Sequence, residues 1–188
     1  MIKHRLDCAY IVSKFKYHTE LKSNLLALIN KSQYEHVISP DAEVNISKTD
    51  WNLSSNFSRE WVKYVIEPLL ECSLEMYKEL GYDGFTIHEL WFQQYNTGSE
   101  HGWHTHSSNF TNVYYLEMPL SSPKTQIVNA FNQTDIIELD VSEGDIVVFP
   151  SFVVHKAPKN SSTERKTIIS YNTNSTYSDK IYGKGLAH

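Results

Sequence analysis

The spacing of apolar positions changes near residue 84. Before it, "HTELKSNLLALINKS" carries Leu21, Leu25, Leu28 and Ile29 at the i, i+4, i+7, i+8 spacing of an amphipathic helix. "SREWVKYVIEPLLECSLEMYKELGYDG" places Trp61, Val65, Leu69, Cys72 and Met76 on one face and predicts a second helix. Ser58 is its expected N-cap, Gly81 its expected stop, and Pro68 is expected to kink or split it. The intervening "SPDAEVNISKTDW" reads as a loop. From Phe85 onward the apolar residues fall into short strand-like runs: "FTIHELWFQQY", "TNVYYLEM", "TQIVNAF", "DIIELDV", "DIVVFPSFVVH" and "KTIISYN". The segments "SPK", "NQTD" and "SEGD" punctuate them. Strands without intervening helices predict a β-sandwich or jelly roll. The chain is therefore expected to be mainly β with N-terminal helices, one domain over 1–188, with a helical support region over about 15–82 and the β-region over about 85–175.

Composition narrows the classes. At 188 residues and 40% hydrophobic content the chain has enough apolar surface for a core, and disorder is not expected. The formal charge of −5 and the lack of a Lys/Arg block argue against binding a nucleic-acid backbone. The two cysteines, Cys8 and Cys72, form neither a disulfide framework nor a CxxC, which fits a reducing, cytoplasmic setting. No run has the length of a membrane span, and the first residues lack an apolar signal core.

The chemistry concentrates in "EHGWHTHSSNFTNVYYLEMP", where His101, His104 and His106 fall together. Residues i and i+2 of a strand share a face, so His104 and His106 project together if the segment is extended. Two neutral imidazoles at that spacing suit one Fe, Zn, Cu or Ni ion. The third ligand must come from another strand, and His155, at the end of "GDIVVFPSFVVH", is the best candidate. His101 has the opposite parity to His104 and reads as an outer or surface residue. His4, His18, His36, His88 and His188 lack partners in sequence and read as ordinary.

The ordered set "HGWHTH…NVYYLEMP…GDIVVFPSFVVHKAPKN…RKTIISYN" resembles the iron(II)/2-oxoglutarate-dependent oxygenase superfamily, closest to a branch found in bacteria and their tailed phages. The resemblance spans roughly residues 85 to 175. It implies a double-stranded β-helix, the jelly-roll form shared with cupins, with iron(II) near one mouth. In that superfamily the usual ligands are a His-x-Asp/Glu pair and a distal His. Here His104 takes the first position, His155 the distal one, and His106 stands where the carboxylate is usual. Glu100 and Glu117 are the nearest acids, and neither has the spacing to replace it. The resemblance also implies a cation after the distal His that anchors 2-oxoglutarate. Arg165 and Lys166 both qualify. They point to opposite faces of a strand, so only one can serve: guanidinium geometry favours Arg165 and the alignment of "TIISYN" favours Lys166. Tyr115, Tyr95 and Asn172 are further cosubstrate candidates; Gln93 and Ser170 are expected to line the cavity, and Trp103 to shape its mouth or pack.

The activity these features imply is an iron(II)- and 2-oxoglutarate-dependent dioxygenase. It would hydroxylate a C–H bond of a small-molecule or peptide substrate with dioxygen and release succinate and CO2. Two alternatives stand beside it: a cupin-type three-histidine metal dioxygenase that does not use 2-oxoglutarate, and a non-catalytic jelly-roll binding module.

Overall fold

A computed structural model describes residues 8–176, so His4 and His188 lie outside the described residues. The elements are β1 (Ile11–Lys14), α1 (His18–Lys31), β2 (Glu35–Ser39), β3 (Val44–Thr49), α2 (Glu60–Glu79), β4 (Gly84–Tyr95), β5 (Glu100–His104), β6 (Phe110–Glu117), β7 (Gln126–Val128), β8 (Ile136–Glu138), β9 (Asp145–Pro150), β10 (His155–Ala157) and β11 (Lys166–Thr176). The two helices form where the apolar spacing placed them. Leu21, Leu25 and Ile29 are buried on α1, and Trp61, Val65, Leu69, Cys72 and Met76 on α2.

Two local expectations are corrected, and a third, that Pro68 kinks or splits α2, is narrowed. Ser58 is not the cap of α2: Arg59 holds that position in an extended conformation with no side-chain cap bond, and the Ser58 N–H donates to Asn56 Oδ1 at 3.0 Å. The Arg59 guanidinium pairs with the buried Asp50 carboxylate, which also accepts from Trp61 Nε1 at 2.8 Å and the Phe92 N–H at 3.0 Å. That carboxylate ties the start of α2 to β4. Pro68 does not split α2, which runs unbroken through it. The apolar face on either side of Pro68 packs into one core, and that packing outweighs the lost backbone hydrogen bond. The supposed loop after α1 is a hairpin, β2 and β3 joined by a turn over Pro40–Ala42. Its strands are polar and partly exposed, so they carry little hydrophobic alternation to read.

All strand pairs are antiparallel, and the described strands form one sheet in the order β1-β9-β6-β11-β4-β3-β5-β10-β7-β8, with β2 on β3. This is the jelly-roll class expected from the strand series, although β1 and β3, from the first half of the chain, also join the sheet. The central strands are apolar on both faces because both faces are covered. Leu90 and Phe92 of β4, Tyr114 and Leu116 of β6, Ile146 and Val148 of β9, and Ile169 and Tyr171 of β11 pack with α1 and α2. The intervening residues Tyr95, Val113, Tyr115, Val147, Phe149 and Ile168 form a second cluster on the inner face.

Candidate metal centre

The inner face carries its polar residues toward one end. Trp91, Gln93 and Tyr95 of β4, Thr111 and Val113 of β6, and Ile168 and Ser170 of β11 line a narrow cavity. His101, His104, His106 and His155 close it. His104 is the last residue of β5 and His155 the first of β10, and the two sit opposite one another in the β5–β10 ladder. His155 does not end β9, as its run of apolar neighbours implied. The chain turns over residues 151–154 and begins a new strand at His155. That turn points the imidazole back over the cavity.

His106 lies beyond the end of β5, so strand parity does not place it. Its N–H donates to the Ser151 carbonyl at 3.1 Å, and the Ser151 hydroxyl is hydrogen-bonded to those of Ser108 and Thr111. These bonds fasten the segment after β5 to the turn before His155. One ligating atom from each of His104, His106 and His155 comes within 4.8 Å of the others. His104 Nδ1 donates to the Gly102 carbonyl at 2.7 Å and His155 Nδ1 to the Val153 carbonyl at 2.9 Å. A carbonyl can only accept, so both rings carry their proton on Nδ1 and leave the Nε2 lone pair for a metal. Burial pushes His106 down to about 4 and lowers His104 and His155, so the three rings are neutral near pH 7. Neutral imidazoles with free lone pairs, fixed by backbone acceptors, fit a divalent transition-metal ion. No carboxylate belongs to this cluster among the described residues.

Of the two roles its parity left open, His101 takes a place just outside the ligand set and not one on the surface. It is buried and stacked on His104, with ring centroids 3.8 Å apart and planes 12° from parallel. The β5–β10 ladder shifts register between His155 and Ala157, which pairs with His101, and parity does not carry across such a shift. Burial lowers His101 to about 3, and Gln93 Nε2 donates to its Nδ1 at 3.4 Å. Gly102 lets β5 pass beneath the 40–42 turn: a Cβ there would lie 2.2 Å from the Ala42 carbonyl oxygen.

Arg165 and Lys166 separate as their parity requires. Arg165 lies on the helix side of the sheet, bidentate to the Glu117 carboxylate at 2.9 and 3.1 Å and donating to Asn30 Oδ1 of α1 at 3.1 Å. That engagement removes it as an interior cation. Lys166 is 2% exposed, sits opposite Tyr95, donates to the Pro123 carbonyl at 2.8 Å and has its Nζ 5.6 Å from the centre of the Tyr115 ring. Burial pushes its ammonium down to about 8, against a weak opposing pull from Glu138. The Tyr115 hydroxyl donates to Thr125 Oγ1 at 2.8 Å, whereas the Tyr95 hydroxyl has no partner. Asn172 Nδ2 donates to Glu89 Oε2 at 2.6 Å, leaving Oδ1 without one. Trp103 is 38% exposed with Lys156 Nζ 4.6 Å over its ring. His18 is engaged with Tyr114 and Glu143, and His36 with Asn45.

Sequence reasoning passed over Trp91. It lines the cavity, stacks on His106 at 5.8 Å and 25°, and stacks on Trp51 at 6.1 Å and 14°. Its place beside Gln93 and Tyr95 on one strand face was the signal that could have found it. A cleft of about 880 Å³ opens beside His106, walled by Ser107, Asn109, Phe110, Phe152 and neighbours, and none of its described lining residues carries a formal charge.

Residues 89–172 match the family model described as "Putative 2OG-Fe(II) oxygenase". No curated protein sequence matches this chain. Among solved structures, the chain is similar to an oxidoreductase of the 2OG-Fe(II) oxygenase family from Burkholderia pseudomallei, with TM-score 0.69, 10% identity, and 89% of this chain and 88% of that one covered. It is similar to a prolyl hydroxylase from Trichoplax adhaerens, solved with a hypoxia inducible factor peptide fragment, with TM-score 0.62, 15% identity and coverage of 87% and 82%. It is also similar to the epimerase SnoN of nogalamycin biosynthesis, solved with Fe3+, alpha ketoglutarate and nogalamycin RO, with TM-score 0.66, 10% identity and coverage of 89% and 79%.

Proposed function

We propose that the chain is an iron(II)- and 2-oxoglutarate-dependent dioxygenase that hydroxylates a C–H bond of its substrate, a reading supported by the match of residues 89–172 to a 2OG-Fe(II) oxygenase family model and by the fold it shares with such enzymes. One observation carries this reading. Three neutral histidines from two distant segments converge at one end of the barrel interior, and a buried lysine without a carboxylate partner waits at the other. His104, His106 and His155 would hold the metal. Lys166 would turn from the Pro123 carbonyl to a cosubstrate carboxylate, a charge-assisted bond in place of a neutral one. The Tyr95 hydroxyl, which has no protein partner, would donate to the same carboxylate. Tyr115 keeps Lys166 against its ring face, and Asn172 lies on the interior face of β11 with Lys166 and Ser170.

When bound, iron(II) with 2-oxoglutarate and dioxygen supplies the oxidising chemistry, one oxygen atom going to the substrate and one to succinate, with loss of CO2. The chain's own part is positional. Hydrogen bonds to the Gly102 and Val153 carbonyls fix two imidazoles, apolar residues such as Val113, Phe149 and Ile168 exclude water, and the uncharged cleft beside His106 admits the substrate. An uncharged wall gives no counterion to phosphate or carboxylate, so the reacting end of the substrate is neutral.

The test is succinate release from 2-oxoglutarate under air with iron(II), together with the thermal shift that 2-oxoglutarate gives the manganese(II) form. Both signals are expected in the wild type, and both lost in His155→Ala. Metal binding with no response to 2-oxoglutarate would sink this reading in favour of a cupin-type enzyme. A thermal shift without turnover across substrates would point to a binding module.

A further inference from the structure

The inner cavity holds two hydrogen-bond donors that the protein itself leaves unsatisfied. One is the Tyr95 hydroxyl, at the Lys166 end; the other is the Trp91 indole N–H, at the histidine end. The other polar side chains of the cavity are engaged: Gln93 with His101 and Ser170, Thr111 with Ser151, and Thr125 with Tyr115. Trp91 is 2% exposed, and an indole N–H can only donate. Burying a donor without a partner is costly, and stacking against Trp51 and His106 holds this one in place despite that cost. The metal-binding cluster offers it no carboxylate, because all three ligands are imidazoles, and their lone pairs are the ones a metal would take.

We infer that Trp91 is a cosubstrate-binding residue whose indole N–H donates to the carboxylate of 2-oxoglutarate at the histidine end of the cavity. The inference rests on the oxygenase reading above. A ligand with a carboxylate at each end meets a site with an unsatisfied donor at each end, Trp91 beside His106 and Tyr95 beside Lys166. Stacking on Trp51, in the turn that follows β3, and on His106 fixes the plane of the Trp91 ring and with it the donor.

Trp91→Phe keeps an aromatic ring and removes the donor. In the manganese(II) form without dioxygen, calorimetry should show manganese(II) affinity retained and 2-oxoglutarate affinity weakened about tenfold, as loss of a charge-assisted hydrogen bond requires. A second measurement uses the wild type. Of the indole signals from the four tryptophans in the zinc(II) form, labelled with nitrogen-15, that of Trp91 should move downfield when 2-oxoglutarate binds. Substitution of Trp51, Trp61 and Trp103 in turn identifies it by elimination, so the result stands even if Trp91→Phe does not fold. Unchanged 2-oxoglutarate affinity in a folded Trp91→Phe, or a Trp91 signal unmoved while the wild type binds, overturns the inference and leaves the oxygenase reading intact. A wild type that binds metal but no 2-oxoglutarate overturns both.

Discussion

Lys166 concentrates the consequences at the scale of the residue. Its surroundings are Tyr95 across the β4–β11 ladder, the Tyr115 ring, the Pro123 carbonyl and the weak pull of Glu138, and burial holds its ammonium at about 8 rather than the usual 10.5. The folded form therefore gives up its proton before the unfolded chain does. Between about pH 8 and 10.5 the unfolded state binds more protons, so this group contributes stability that rises with pH across that window. On the proposed role of Lys166, cosubstrate binding should run the other way, because a carboxylate needs the charged form. The 2-oxoglutarate affinity of the manganese(II) form should be flat below pH 8 and fall about tenfold per pH unit above it, as read by calorimetry. Lys166→Met should abolish that binding yet raise the Tm of the metal-free protein by about 2–4 °C, since it removes a buried cation that lacks a carboxylate partner. His106 gives a second test. Asp at this position adds a hard, anionic oxygen donor, so His106→Asp should raise affinity for manganese(II) relative to zinc(II), measured by competition.

At the scale of the element, the site depends on how β5 meets its neighbours. β5 contributes His101 and His104 on one short strand, and Gly102 between them passes under the Ala42 carbonyl where no Cβ fits. Gly102→Ala must push β5 or the 40–42 turn aside, and should cost about 1–3 kcal/mol of stability with loss of metal affinity. Denaturant unfolding and metal titration would show the two losses together. By contrast, Leu25 sits on the buried face of α1, and α1 packs on the opposite face of the sheet from the cavity. Leu25→Ala should cost about 2–5 kcal/mol while leaving metal affinity within a factor of about two in the folded protein. The helices were legible because a spacing of 3.6 needs only local residues. The β2–β3 hairpin was not: its residues are half-exposed and polar, and they become strands by pairing with β4 and β5. Sequence placed His155 at the end of β9, because nothing in "PSFVVH" announces that the chain turns over residues 151–154 and starts β10.

At the scale of the whole molecule, a metal held by two segments about fifty residues apart should stabilise the fold in proportion to its binding. At about a hundredfold excess over its Kd the gain is about 2.7 kcal/mol, so a chelator should lower the Tm by several degrees and His155→Ala should show no such response. Taken by itself, the sequence determined the helix pair, the change to β structure near residue 84, the class of the fold and three of the imidazoles at its centre. These follow from local periodicity and from residue types whose chemistry is fixed by composition. Only the tertiary structure decided that Lys166 faces inward while Arg165 is held outside by Glu117, that His101 lies beneath His104, and that Trp91 brings a buried, unsatisfied donor to the cavity the histidines close. Each of those depends on a register shift, a strand partner or a packed ring from distant parts of the chain. Such contacts leave no periodic trace, because the residues that make them are set side by side only when the sheet closes.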